Sequence, residues 1–159
     1  MNEEYLMTPQ GKKILDEELE RLIKVERESI KTALIEARAH GDLKENAEYH
    51  SAKEKQSLVE GKISELQNRV AKAKVIDPHH IKAENKVVFG ATVKIFDLQN
   101  EVHITYTIVG EDEAKNDKTK ISYKSPLGMS LIGKDVGDVV VVKTPKGDRE
   151  YEIESATYA

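Results

Sequence analysis

The chain contains no cysteine and no tryptophan, and only 5% of its 159 residues are aromatic. Without cysteine, disulfide staples and thiolate-ligated metal sites are excluded. With so few aromatics and a mean hydropathy of -0.57, one large hydrophobic core is not expected. No apolar run approaches the roughly 20 residues of a membrane span. The beginning, Met1-Asn2-Glu3-Glu4, lacks the basic stretch that opens a secretory signal, so a cytoplasmic protein is expected. An excess of positive charge is missing too: the formal net charge is -4 and neither half is basic. A duplex-binding protein held by phosphate neutralisation is therefore not expected, and any nucleic-acid contact should be local. There is also no Gly-rich phosphate cradle, zinc spacing or Ser-His-Asp arrangement. Taken alone, the sequence does not hold a complete active site.

What the chain has in quantity is charge of both signs, 34% of residues, wrapped around apolar stripes. Thr8-Pro9 has the form of an N-cap followed by proline at the first helical position. Apolar residues then recur at Leu15, Leu19, Leu22, Ile30, Ala33, Leu34 and Ala37, with Glu26 interrupting the stripe and imperfect packing expected there. Gly41 is the natural stop. A second stripe runs through Tyr49, Ala52, Gln56, Val59, Ile63, Leu66, Val70 and Ala73. Two helices joined by so short a bend must run antiparallel. The expected first arm, Lys12 to His40, is about 43 Å long at about 1.5 Å per residue.

After Ile76-Asp77-Pro78 the period changes from 3.6 to 2. Strands are expected over Val87–Asp97 (with a bulge at Gly90), Val102–Val109, Lys120–Tyr123, Val139–Lys143 and Glu150–Tyr158. A short helix is expected over Pro126–Ile132, and a hairpin turn at Pro145–Asp148. The fold class is α+β: a coiled-coil hairpin over residues 1–77, a linker over 78–82, and a small, mainly antiparallel sheet domain over 83–159.

The bend, His40 to Tyr49, concentrates the candidate chemistry. Asp42 and Glu45 stand in the Asp-x-x-Glu spacing of a helix start, where both would cap the second helix. The same carboxylates, with Glu48, could instead point off the tip and ligate a hard cation; Mg²⁺ takes one or two protein carboxylates and keeps several waters. Two such ligands make a weak site, so the ion would be shared with another molecule. Arg38, Lys44 and Lys53 read either as ordinary solvated charge or as a small cationic patch for an RNA phosphate. His40 and His50 flank the bend as polar surface, and neighbours His79 and His80 point apart on an extended chain.

The run Glu36 to His50, together with Val87-Val88-Phe89-Gly90-Ala91-Thr92-Val93, Ser125-Pro126-Leu127 and Leu131-Ile132-Gly133-Lys134, resembles the bacterial Gre transcript-cleavage factors over essentially the whole chain. The wording at Leu43-Lys44 and Tyr49-His50 is similar to the GreA branch. The resemblance implies an FKBP-like C-terminal domain that docks on RNA polymerase and a coiled coil that enters its secondary channel. It implies that Asp42 and Glu45 help hold an Mg²⁺ jointly with the polymerase, so that a backtracked RNA 3′ end is hydrolysed to a short fragment. By the same resemblance Arg38 and Lys53 contact that RNA, Lys53 standing where Arg is usual, and Ser125 and Pro126 lie in the loop that meets the polymerase rim. The free protein is expected as a monomer. Two other classes compete: a non-catalytic adaptor occupying the channel, and a peptidyl-prolyl isomerase, which would want an aromatic-lined pocket.

Overall fold

The computed structural model describes residues 4–81, 83 and 85–158. Residues 13–72 form one compact unit; those up to 12 and those from 73 onward form the other. The expected division after residue 77 is therefore drawn differently. Strand β1 (Tyr5–Met7) pairs in parallel with β2 (Ala73–Val75), which brings both ends of the helical segment into the globular unit. The expected linker includes Lys82, outside the described residues; before it, Pro78–His80 forms a 3-10 turn whose Asp77 carboxylate accepts from the His79 N–H at 3.0 Å. Among the described residues no helix is long and apolar enough to cross a membrane.

Helix α1 (Pro9–Arg21) starts as its sequence specifies, the Thr8 hydroxyl accepting from the Gly11 N–H at 3.1 Å. The Thr8 hydroxyl also donates to the buried Glu113 carboxylate, which Lys120 Nζ approaches at 2.8 Å. Glu113 belongs to α4 (Glu111–Ala114), a turn of helix that sequence reasoning missed. Burying a carboxylate is expensive unless it is paired and hydrogen-bonded, and here it is both.

The first arm continues through a π-helical turn, Leu22–Glu26, into α2 (Arg27–Ala39). The spacing explains that turn. Leu15, Leu19 and Leu22 repeat the 4,3 pattern of Ile30, Leu34 and Ala37, but corresponding members of the two triplets are fifteen residues apart rather than the fourteen of two heptads. On an ideal α-helix the second triplet would be rotated by about 60° from the first, about 100° away from where a heptad repeat would put it. A π-turn absorbs one surplus residue, which returns both triplets to the same face. Leu15, Leu22, Ile30, Leu34 and Ala37 are accordingly buried, whereas Ala33 is exposed. The return arm is α3 (Ala47–Ala71), burying Ala52, Ile63 and Leu66. Just beyond the π-turn, Arg27 meets Glu60 of α3 through two contacts of 2.7 and 2.8 Å, fixing the register of the arms.

The globular unit carries a sheet in the order β5-β4-β3-β7-β6, with β3 (Thr92–Asp97), β4 (Val102–Val109), β5 (Lys120–Ser122), β6 (Val139–Thr144) and β7 (Gly147–Thr157). All neighbours are antiparallel except β4 and β5. The expected strand from Val87 begins only at Thr92, because Gly90 has φ 91° and breaks the extended run. The core gathers Val87, Val93, Ile95, Ile108, Leu131 and Ile153. Helix α5 (Pro126–Leu131) seats Gly128 where a Cβ would lie 2.2 Å from the Ser122 carbonyl oxygen, so only glycine fits.

The surplus residue of the π-turn should be dispensable. Deleting the exposed Val25 is expected to leave the hairpin's thermal unfolding cooperative and its midpoint within a few degrees of the parent. Deleting the exposed Ser57 from α3, which has no surplus residue, turns Ala52 and Ile63 about 100° apart and should unfold the hairpin. Circular dichroism melts decide; equal losses in both variants would refute the phase argument.

Candidate functional site at the hairpin tip

Helix α2 ends as expected. The His40 N–H donates to the Ala37 carbonyl at 3.2 Å, the Gly41 N–H donates to the Arg38 carbonyl at 3.3 Å, and Gly41 takes φ 106°, a left-handed conformation suited to glycine.

The start of α3 differs from the expectation. The cap is Asn46, not Asp42: its Oδ1 accepts from the Tyr49 N–H at 3.0 Å, and the helix begins at Ala47. Asn46 Nδ2 donates to the Ala37 carbonyl at 2.6 Å. One amide thus closes the end of α2 and opens α3, using acceptor and donor together. Asp cannot do both. That choice places Asp42 and Glu45 in the loop outside both helices, and both are exposed. Asp42 Oδ1 accepts from the Lys44 N–H at 3.0 Å, an Asx turn, and the His50 ring nitrogen lies 3.1 Å from the Lys44 carbonyl. Glu48 sits in the first turn of α3, with His40 3.8 Å away.

The two expected RNA-contact residues come together. Arg38 Cζ and Lys53 Nζ each lie 5.9 Å from the centre of the Tyr49 ring. Tyr49 is half-buried and packs on Ile30, Leu34 and Ala52. Asn46 and Tyr49 were not singled out as site residues from sequence; the usable signal was a second capping residue four positions after Asp42.

Ser125 and Pro126 belong to the globular unit. Ser125 caps α5, its hydroxyl accepting from the Gly128 N–H at 3.0 Å and donating to the Ser122 carbonyl at 2.7 Å, while Pro126 is exposed at the first helical position. Among the described residues no group of three or more His, Asp or Glu side chains could hold a metal ion. Asp42 and Glu45 offer hard oxygen donors of the kind Mg²⁺ accepts, in a number that fits an ion completed by other ligands.

A helical hairpin with exposed carboxylates on the loop at its bend, carried with a separate sheet unit, defines a class of two-unit proteins. The family models say which. That for the N-terminal region of transcription elongation factors matches residues 5–75, and that for the GreA/GreB transcription elongation factor C-terminal region matches residues 82–158. Transcription elongation factor GreA of Thermodesulfovibrio yellowstonii is 52% identical over 158 residues, covering 99% of each chain. The same-named factor of Alkalilimnicola ehrlichii is 51% identical, covering 96% of this chain and 97% of its own. Among solved structures, the GreA factor homolog 1 (Gfh1) protein of Thermus thermophilus is 26% identical, covering 97% of this chain and 99% of its own, with a TM-score of 0.43. The chain belongs to the GreA/GreB family of transcription elongation factors.

The double use of Asn46 is testable. Asn46→Asp keeps the acceptor for Tyr49 but turns a carboxylate on the Ala37 carbonyl, so exchange protection of the His40 and Gly41 amides should fall while that of Tyr49 holds. Asn46→Ala loses both bonds and should destabilise the hairpin by about 1–2 kcal/mol. Hydrogen exchange read by NMR checks this; undiminished protection of Gly41 in Asn46→Asp would refute the clasp.

Proposed function

We propose that the hairpin enters the secondary channel of RNA polymerase and brings Asp42 and Glu45 to the catalytic centre, stimulating hydrolysis of a backtracked RNA 3′ end and so releasing stalled elongation. The observation that carries this reading is the cap at Asn46: with the helix start assigned elsewhere, the two acids have no duty in either helix. Mg²⁺, held jointly with the polymerase by these two carboxylates, would stabilise the attacking and leaving oxygens of the displacement. The chain's own part is to fix the loop at the end of a stiff rod, since misplacement by about 1 Å is enough to lose rate. Arg38 and Lys53 meet the phosphates of the extruded RNA, and Ser125 and Pro126 present α5 to the polymerase rim. The aromatic-lined pocket an isomerase needs finds no support: Phe89 is buried edge-on against Tyr123.

Cleavage of a backtracked polymerase complex, with product lengths resolved, tests the reading. Asp42→Ala and Glu45→Ala should each lower the cleavage rate at least about tenfold at low Mg²⁺, with partial recovery as Mg²⁺ is raised. Both variants should still compete with the parent for polymerase. Cleavage that survives both substitutions would make the protein a non-catalytic occupant of the channel.

A further inference from the structure

We propose that Tyr49 is a positioning residue that holds Arg38 and Lys53 as a single cationic clamp for one phosphate of the extruded RNA strand; this rests on the function proposed above and adds to it the residue that organises the RNA contact. Arg38 reaches the ring from the last turn of α2, and Lys53 from α3, one turn beyond Tyr49 itself. Two like charges brought to one place repel unless something between them is negative. The faces of a tyrosine ring supply that, drawing a guanidinium or an ammonium to within about 6 Å of the centroid.

The ring is well placed to be a fixed reference. Its flank packs on Ile30, Leu34 and Ala52, and its backbone N–H is held by Oδ1 of Asn46, whose Nδ2 closes α2. The cations are also unspent. Every other arginine of the hairpin meets a carboxylate: Arg21 meets Glu18 and Glu26, Arg27 meets Glu60, and Arg69 meets Glu65. Arg38 meets none among the described residues, and the polar contact of Lys53 is the neutral Gln56 at 3.4 Å. A positive pair without a counter-ion, centred on a rigid aromatic beside the acidic loop, is suited to an anion brought from outside. A single-stranded RNA phosphate next to the bond being hydrolysed has that chemistry.

The test is single-turnover cleavage of a backtracked complex at saturating factor, so that docking does not limit, measured across a range of salt. Tyr49→Leu keeps an apolar side chain against Ile30 and Leu34 but removes the ring; Tyr49→Phe keeps the ring. Tyr49→Leu should cleave roughly twofold to fivefold more slowly, the scale of a cation–π contact. Its plot of log rate against log salt should be shallower, by about 0.7 for one lost phosphate contact. Tyr49→Phe should match the parent in both. Adding Tyr49→Leu to the Arg38→Ala/Lys53→Ala double variant should change little further. A Tyr49→Leu protein with parental melting, rate and salt slope overturns the proposal, as does a Tyr49→Phe protein equally impaired. Should Tyr49→Leu fail to fold, the double variant alone decides: a parental salt slope there also overturns it. Asp42→Ala is run alongside. If it cleaves at the parental rate at low Mg²⁺, the underlying function fails; if it is slowed at least about tenfold while Tyr49→Leu is normal, only the clamp fails.

Discussion

One side-chain amide holds the bend of the hairpin together. Asn46 donates to the last buried turn of α2 at the Ala37 carbonyl and accepts from the Tyr49 N–H at the start of α3. Helix termini leave backbone groups without partners, and a tight bend between two helices doubles the number to be satisfied in a small volume. By serving both ends, Asn46 lets the bend be short without asking Asp42 or Glu45 for a hydrogen bond to either helix. Every functional statement about the tip follows from that division of labour.

Stiffness comes from elsewhere. The π-turn at Leu22–Glu26 keeps the apolar triplets on either side of it on one face, so the arm behaves as a continuous element in spite of its surplus residue. At the other end the Thr8 hydroxyl, the Glu113 carboxylate and the Lys120 ammonium tie the first turn of α1 into the globular unit. Lys120 has its pKa raised, chiefly by its hydrogen bond to Glu113, so the ammonium stays charged and the buried acid keeps its partner.

Much of this was legible in the sequence, for physical reasons that differ by element. Strand β4 was read to the residue, because Val102–Val109 is a β-branched run bounded by turns. The Ser125-Pro126 start of α5 and the Gly41 stop of α2 are local chemistry, and local chemistry is what a sequence displays. The pair β1 and β2 was hidden: three residues have no measurable period, and Tyr5 pairs with Ala73 far along the chain. The π-turn was half visible, as a stripe that Glu26 broke. At the tip, the Asp42-x-x-Glu45 spacing pointed to Asp42 as the cap, whereas the structure uses Asn46. What chose between them was a bond from Asn46 to a carbonyl nine residues earlier, which no capping pattern encodes. The clustering of Arg38 and Lys53 around Tyr49 needed both arms in place and so belongs to the fold rather than to any motif.

The segment between Gly41 and Asn46 has a consequence for how such proteins can diverge. Its exposed side chains contribute little to folding, so replacing them leaves scaffold stability nearly unchanged, whereas altering Asn46 or Ala37 does not. Inheritance can therefore treat the spike as a reusable holder and its few outermost residues as exchangeable cargo. A lineage could change the side chains at the bend while still building the same shaft.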